Sequence, residues 1–209
     1  MFPAVGFQAL VSPARLERAA VAPLPTRWNL VVIAGRLIEV SGWGATAALT
    51  LAFGLVLEAQ REGEPVAWVT TEESSFHPPD AAEGGVDLDA LVVIRVPDAR
   101  SVPRAAERLT RSSAFGLIVL DLGAQAEIPT PLQVRLAGLA LKHHTALVCL
   151  TENASRAPSL GSLISLRVQA KRKKTSGDRF TCELAVLKDK RRGPTWVHAE
   201  VCRGPAGLR

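Results

Sequence analysis

The sequence predicts an α/β fold: a mostly parallel sheet flanked by helices and ending in an antiparallel meander. Two observations carry this expectation. Short Val/Ile/Leu-rich runs at 36–40, 66–70, 91–96, 116–120 and 146–150 alternate with helical stretches, as strands buried on both faces should. After residue 154 the alternation stops, and only strand-like runs follow, at 163–170, 180–187 and 195–201.

Residues 1–28 carry Pro3, Pro13, Pro23 and Pro25, with two helical turns expected where Ser12 caps and Pro13 takes the first position. This reads as an N-terminal arm, too small to bury a core, ahead of a core at 29–209. Helices are expected over 47–61, over 101–113 with Ser101 as cap, and over 132–144 behind the Thr130-Pro131 pair. The links at 171–179 and 188–194 contain Gly177 and Gly193 and read as turns.

Composition bounds the function. Of the 209 residues, 47% are hydrophobic and 22% charged, enough for a buried core and too apolar for global disorder. The longest apolar stretch, 45–57, is too short for a membrane span, so no membrane association is expected. The N-terminus lacks a basic start before its apolar residues, and no signal peptide is expected. Cys149, Cys182 and Cys202 are odd in number and widely spaced, which points to a reducing cytoplasm rather than to disulfides or zinc. Cys149 reads as a buried thiol. His143 and His144 close a helix, His77 precedes Pro78-Pro79 in a loop, and no hydrolytic spacing appears.

The net charge of +5 is uneven: residues 167–192 hold ten basic side chains and three acids, which leaves a near-neutral body. Such a basic end implies an acidic partner, nucleic acid or protein, or else a lysine-rich edge that keeps a sheet soluble. Lys171, Arg172, Lys173 and Lys174 are candidates for non-specific phosphate contact. Lys188, Lys190, Arg191 and Arg192 are candidates for an acidic partner surface. With a strand of about eight residues between them at roughly 3.3 Å each, the two clusters should lie some 25 Å apart.

The chemistry should sit where the first strand enters a helix through Ser41-Gly-Trp-Gly-Ala-Thr-Ala-Ala-Leu-Thr50, because free N–H groups and the helix dipole point out of such a turn. Two motifs compete there. Gly42-Trp43-Gly44-Ala45-Thr46-Ala47 fits the dinucleotide fingerprint G-x-G-x-x-A, but the next strand ends at Glu72, later than its ribose-binding acid belongs. The other is a phosphate loop, G-x-x-x-x-G-K-[ST], beginning at Gly42.

The surrounding residues decide between them. Gly35-Arg-Leu-Ile-Glu-Val-Ser-Gly42, Glu58-Ala-Gln-Arg-Glu-Gly63, Gly85-Val-Asp-Leu-Asp-Ala-Leu91, Phe115-Gly-Leu-Ile-Val-Leu-Asp121 and Leu187-Lys-Asp-Lys190 resemble the bacterial RecA recombinase core collinearly. The resemblance implies a RecA-like core without that family's C-terminal domain. On its pattern Ala47, Ala48 and Leu49 occupy the glycine, lysine and hydroxyl places, and Thr50 comes one position late. A methyl cannot offset triphosphate charge and a leucine cannot hold Mg²⁺, so the ATPase site is expected to be lost, with no cofactor. The vestigial site would comprise Gly42, Trp43, Gly44, Ala47, Ala48, Leu49, Glu72 and Asp121, the last two at the places of the water-activating and Walker-B acids. Both acids are expected to cap loops or bind arginine. Residues 154–162 and 122–129 are shorter than the DNA-binding loops of that family, which puts filament-style DNA contacts in doubt.

Within the RecA-like proteins the chain is most similar to ImuA, the accessory protein of damage-induced (SOS) mutagenesis. That resemblance implies a non-catalytic role in translesion synthesis, with RecA and the Y-family polymerase-like protein ImuB as partners and DNA bound weakly if at all. The alternatives are an ATP-dependent RecA paralogue binding single-stranded DNA and a SulA-like cell-division inhibitor.

Overall fold

Five parallel strands form one half of the sheet: β1 (Leu37–Ser41), β2 (Val66–Thr71), β3 (Leu91–Val96), β4 (Leu117–Gly123) and β5 (Ala146–Thr151). β6 (Leu166–Lys174) adds to β1 in parallel, and β7 (Arg179–Asp189) and β8 (Val197–Arg203) follow antiparallel. The spatial order of the eight strands is β3-β2-β4-β5-β1-β6-β7-β8. The helices are α1 (Leu30–Ile33), α2 (Ala48–Arg61), α3 (Pro78–Glu83), α4 (Val102–Arg111) and α5 (Thr130–His143). The structure, a computed structural model, describes residues 28–203 except 45, 75, 125, 176–178, 194 and 195. The arm expected at 1–28 therefore lies outside the described residues, save Trp28, which is buried against α2 with its indole N–H 3.5 Å from the Leu51 carbonyl.

Alternation within the strands builds two cores, one on each face of the sheet. Ile38, Val40, Trp68, Val119, Val148 and Val168 meet α1, α2 and the α3 region; Leu37, Val69, Ile118, Leu120 and Leu147 meet α4 and α5. Each fully buried side chain of this kind contributes about 1.5–3 kcal/mol. The predicted α/β class and the closing meander are both present.

Several local expectations need correction. β3 is an edge strand paired only with β2, and Val92 and Val93 are 46% and 37% exposed, so it is not buried on both faces. Its valines reflect β-propensity, which does not distinguish an edge from a centre. Thr130 lies inside α5 rather than capping it, Pro129 being the N-cap. Ser101 stands at the N-cap of α4 without a side-chain bond. α1 and α3 escaped the sequence reading; Asn29 caps α1, its Oδ1 accepting the Val32 N–H at 3.0 Å, and His77 is the N-cap of α3. β6 runs on to Lys174, so Lys171, Arg172, Lys173 and Lys174 are strand residues and not a turn.

Candidate functional site

The loop at 42–47 joins the buried end of β1 to α2 and is tied from both sides. The Gly42 N–H donates to the Thr151 carbonyl at 3.0 Å, and Ser41 Oγ donates to the Val168 carbonyl at 3.1 Å. Gly44 takes a positive φ of 66°, a conformation open to glycine. Gly42 has no room for a Cβ, because the Thr46 side chain fills that space. Thr46 Oγ1 donates to the Ala170 carbonyl at 3.1 Å and accepts the Ala48 N–H at 3.2 Å. An amide that a phosphate loop turns toward its ligand is here bonded to the protein's own hydroxyl. Ala47 and Ala48 are buried in the core and Leu49 packs against it, while Trp43 stands 71% exposed at the tip.

The two acids lie apart in character. Glu72 is exposed just beyond β2. Asp121 is buried at the end of β4 and accepts from Thr70 Oγ1 at 3.1 Å. Burial pushes its carboxyl above the ordinary value, against the opposing hydrogen bonds of Thr70 and Ser74. Neither acid pairs with arginine among the described ion pairs, so the arginine option is not realised there, and no described group of His, Cys, Asp and Glu is arranged to hold a metal.

Buried charge occurs instead at positions that pattern reading passed over. Glu39 is fully buried on β1, accepting from Ser159 Oγ at 2.7 Å, the Leu160 N–H at 3.1 Å and Thr151 Oγ1 at 3.3 Å, with Arg167 Nε at 3.5 Å. Arg167 donates in turn to the Ala157 carbonyl at 2.7 Å, which pins the segment after β5. Arg36 and Asp189 form a buried ion pair at 2.7 Å, and Trp196 Nε1 donates to the same carboxylate at 3.0 Å. Burial pushes Asp189 up, but the Arg191 amide, Trp196 and Arg36 together hold its carboxyl below the ordinary value. A charged residue inside an otherwise apolar strand was the available signal for Glu39.

The two basic clusters fall at opposite ends of the β6–β7 ladder, as the register Leu166↔Asp189 and Lys174↔Phe180 shows. At one end Lys190 Nζ donates to the Ser162 carbonyl at 2.6 Å and Lys188 Nζ to the same oxygen at 3.4 Å, while Arg191 and Arg192 are exposed. Burial, then the Lys190 charge, draws the Lys188 ammonium below its ordinary value. At the other end Lys173 pairs with Glu183 at 2.9 Å, and the Arg172 guanidinium lies 3.5 Å from the Phe180 ring centroid. Cys182 on β7 and Cys202 on β8 are diagonal neighbours, Cys182 lying opposite Glu200 and Cys202 opposite Phe180. All three cysteines are free.

Comparison with known proteins places this geometry. The model of the RecA N-terminal domain matches residues 31–153, from α1 through the end of β5. The chain belongs to the RecA N-terminal domain family. Among curated proteins, protein RecA of Bacteroides thetaiotaomicron is 35% identical over 128 residues, covering 56% of this chain and 38% of that protein. Protein RecA of Clavibacter michiganensis subsp. michiganensis is 32% identical over 148 residues, covering 62% and 41%. Protein RecA of Leifsonia xyli subsp. xyli is 31% identical over 154 residues, covering 65% and 43%. The chain thus spans about two fifths of the length of these relatives. In this RecA-type domain the matched region contains the whole loop at 42–49 together with Glu72 and Asp121, and the basic meander lies beyond it. No helix among the described residues is long and apolar enough to cross a membrane.

Proposed function

We propose that this chain is a non-catalytic RecA-like accessory protein of SOS mutagenesis, of the ImuA type, acting in translesion synthesis by binding RecA and an ImuB-type polymerase homologue. Membership of the RecA N-terminal domain family supports the coarser part, a role in DNA repair or recombination. The observation that carries the finer part is the loop at 42–49. Ala48 and Leu49 stand where a phosphate loop needs lysine and a hydroxyl, and Thr46 bonds the Ala48 amide from within. A RecA-shaped body with that loop keeps its surfaces and has no means to neutralise a triphosphate, so binding is the activity left to it. The retained Glu72 and Asp121 favour a second reading, an ATP-dependent RecA paralogue. The buried, hydrogen-bonded state of Asp121 supports the first over the second.

Separate pull-downs of the full chain with RecA, with an ImuB-type protein and with single-stranded DNA test the proposal. Retention of both proteins without ATP is the expected result. Retention of neither, or retention only with ATP present, overturns it.

A further inference from the structure

The near-neutral body of the chain conceals a segregation of charge between the two faces of the sheet. Residues 72–89 hold Glu72, Glu73, Asp80, Glu83, Asp87 and Asp89 with no lysine or arginine, and all these acids are exposed around α3, on the face that α2 covers. α4 and α5 cover the other face. They carry Arg104, Arg108, Arg111, Arg135 and Lys142, all exposed, and Glu107 is the only acid of the two helices.

Glu107 is already engaged. Its Oε1 accepts from Arg111 at 2.7 Å and from Arg135 at 3.0 Å, which ties the helices side by side. Arg104, Arg108 and Lys142 have no partner among the described ion pairs. Helix stability does not account for this row. Arg108 and Arg111 lie in the last turn of α4, where cations meet the dipole favourably, but Arg104 lies in the first turn, where they do not. At spacings of i, i+4 and i+7 the three arginines are also like-charged neighbours, which opposes the helix.

An apolar ridge accompanies the row. Val134 and Leu141 of α5, at i and i+7, are 55% and 62% exposed. Arg135 reaches across to α4, so this ridge stands on the side of α5 turned away from the arginines. Gly138 lies between, exposed, and a Cβ there would meet no atom within 4 Å. The surface is thus a strip with cations along one border, apolar side chains along the other and bare backbone in the middle.

We infer that the outer face of α4 and α5 is a docking surface for an acidic amphipathic helix of another protein. Apolar side chains of that helix cover Val134 and Leu141 above Gly138, and its carboxylates meet Arg104, Arg108 and Lys142. The spacing of Arg104, Arg108 and Arg111 is the spacing at which a second helix presents side chains along one face. A phosphate backbone would satisfy the cations but has nothing to cover the two apolar side chains. The acids around α3 repel the same partner from the other face, which fixes the side on which it docks. The inference goes beyond the reading above, since it stands whether RecA, an ImuB-type protein or neither supplies the helix.

The test uses the full chain and fluorescein-labelled synthetic peptides, with binding read by anisotropy. One peptide has leucines at i, i+3, i+4 and i+7 and glutamates between them, a second has lysine in place of glutamate, and a third is polyglutamate of equal length. The glutamate–leucine peptide should saturate, bind about tenfold or more tighter than the other two, and weaken as salt rises. Arg104→Glu with Arg108→Glu should lower its affinity about tenfold or more and raise that of the lysine–leucine peptide. Val134→Ser with Leu141→Ser should lower it about fivefold at every salt concentration. Lys171→Glu with Lys174→Glu makes the same charge change on the hairpin and should alter affinity less than about twofold. All these side chains are exposed, and unchanged melting temperatures show that each variant folds. No saturable binding of the glutamate–leucine peptide overturns the inference, as does parent-like binding by either double variant of α4 and α5. Equal affinity for polyglutamate would make the face a layer for any anion and overturns it too. Tighter binding of a labelled oligothymidylate, lost in the Arg104→Glu, Arg108→Glu variant, would assign the arginines to phosphate and overturn it likewise.

Discussion

The loop at 42–47 and the β6–β7 hairpin stand side by side beyond the ends of the parallel strands, and they dispose of their polar groups in opposite ways. The loop turns them inward: Thr46 takes an amide on one side and offers its proton to a carbonyl on the other. The hairpin turns them outward, with Arg172 stacked on Phe180 and Lys171 and Lys174 in solvent. The contrast teaches how one fold can seal the polar groups of a loop while leaving those of the neighbouring hairpin open. A loop closed on itself still joins β1 to α2 with every constraint the sheet requires, while the charge that an anionic ligand would seek has collected on the hairpin.

The largest expected effect concerns the buried pair at the base of the hairpin. Asp189→Ala leaves Arg36 buried without its partner and should destabilise by about 3–5 kcal/mol in urea unfolding. Because the Asp189 carboxyl is held below its ordinary value, its stabilisation is present above the unfolded-state range and lost as pH falls through the folded value. The variant's deficit should therefore shrink in acid. A deficit under 1 kcal/mol at neutral pH would show the pair to be no anchor.

Restoring lysine to the loop should hurt rather than help. Ala48 is only 7% exposed, so Ala48→Lys forces a long charged chain into the core and should destabilise by about 1–3 kcal/mol, with no gain of ATP affinity in calorimetry. Thr46→Val then probes the closure directly. It leaves the Ala48 N–H and the Ala170 carbonyl without their shared partner and should destabilise by about 1 kcal/mol in the same unfolding experiment. No change would mean that the loop is held by its flanks alone.

Asp121→Asn should have the smallest effect. Burial raises the carboxyl's folded value, so its contribution is full below the unfolded range and is lost as pH rises through the folded one. The variant should melt no lower than the parent at pH 7, and its standing relative to the parent should worsen as pH falls. A clearly lower melting temperature at pH 7 would contradict this account of the site.

How much was readable in the sequence follows from what each residue faces. β4 and β5 announce themselves because Leu117 to Leu120 and Ala146 to Leu150 are apolar on both faces and buried on both. β3 has the same composition at the sheet's edge, where the pattern carries no sign of exposure. That Ala48 and Leu49 stand where the phosphate-loop motif has lysine and a hydroxyl was readable. The hydrogen bond of Thr46 to the Ala48 amide was not, because Thr46 falls where that motif accepts any residue. The ion pairs of Glu39 and Arg36 depend on contacts more than a hundred residues away in sequence, which no local pattern encodes. The neighbouring thiols of Cys182 and Cys202 depend likewise on a register that only the folded hairpin fixes.

The most direct measurement is a calorimetric titration of the full chain with ATP and Mg²⁺. A loop without lysine or metal-binding hydroxyl, closed by Thr46, predicts no saturable heat at millimolar nucleotide. Micromolar, magnesium-dependent binding that Asp121→Ala abolishes would contradict the account and establish a working nucleotide site.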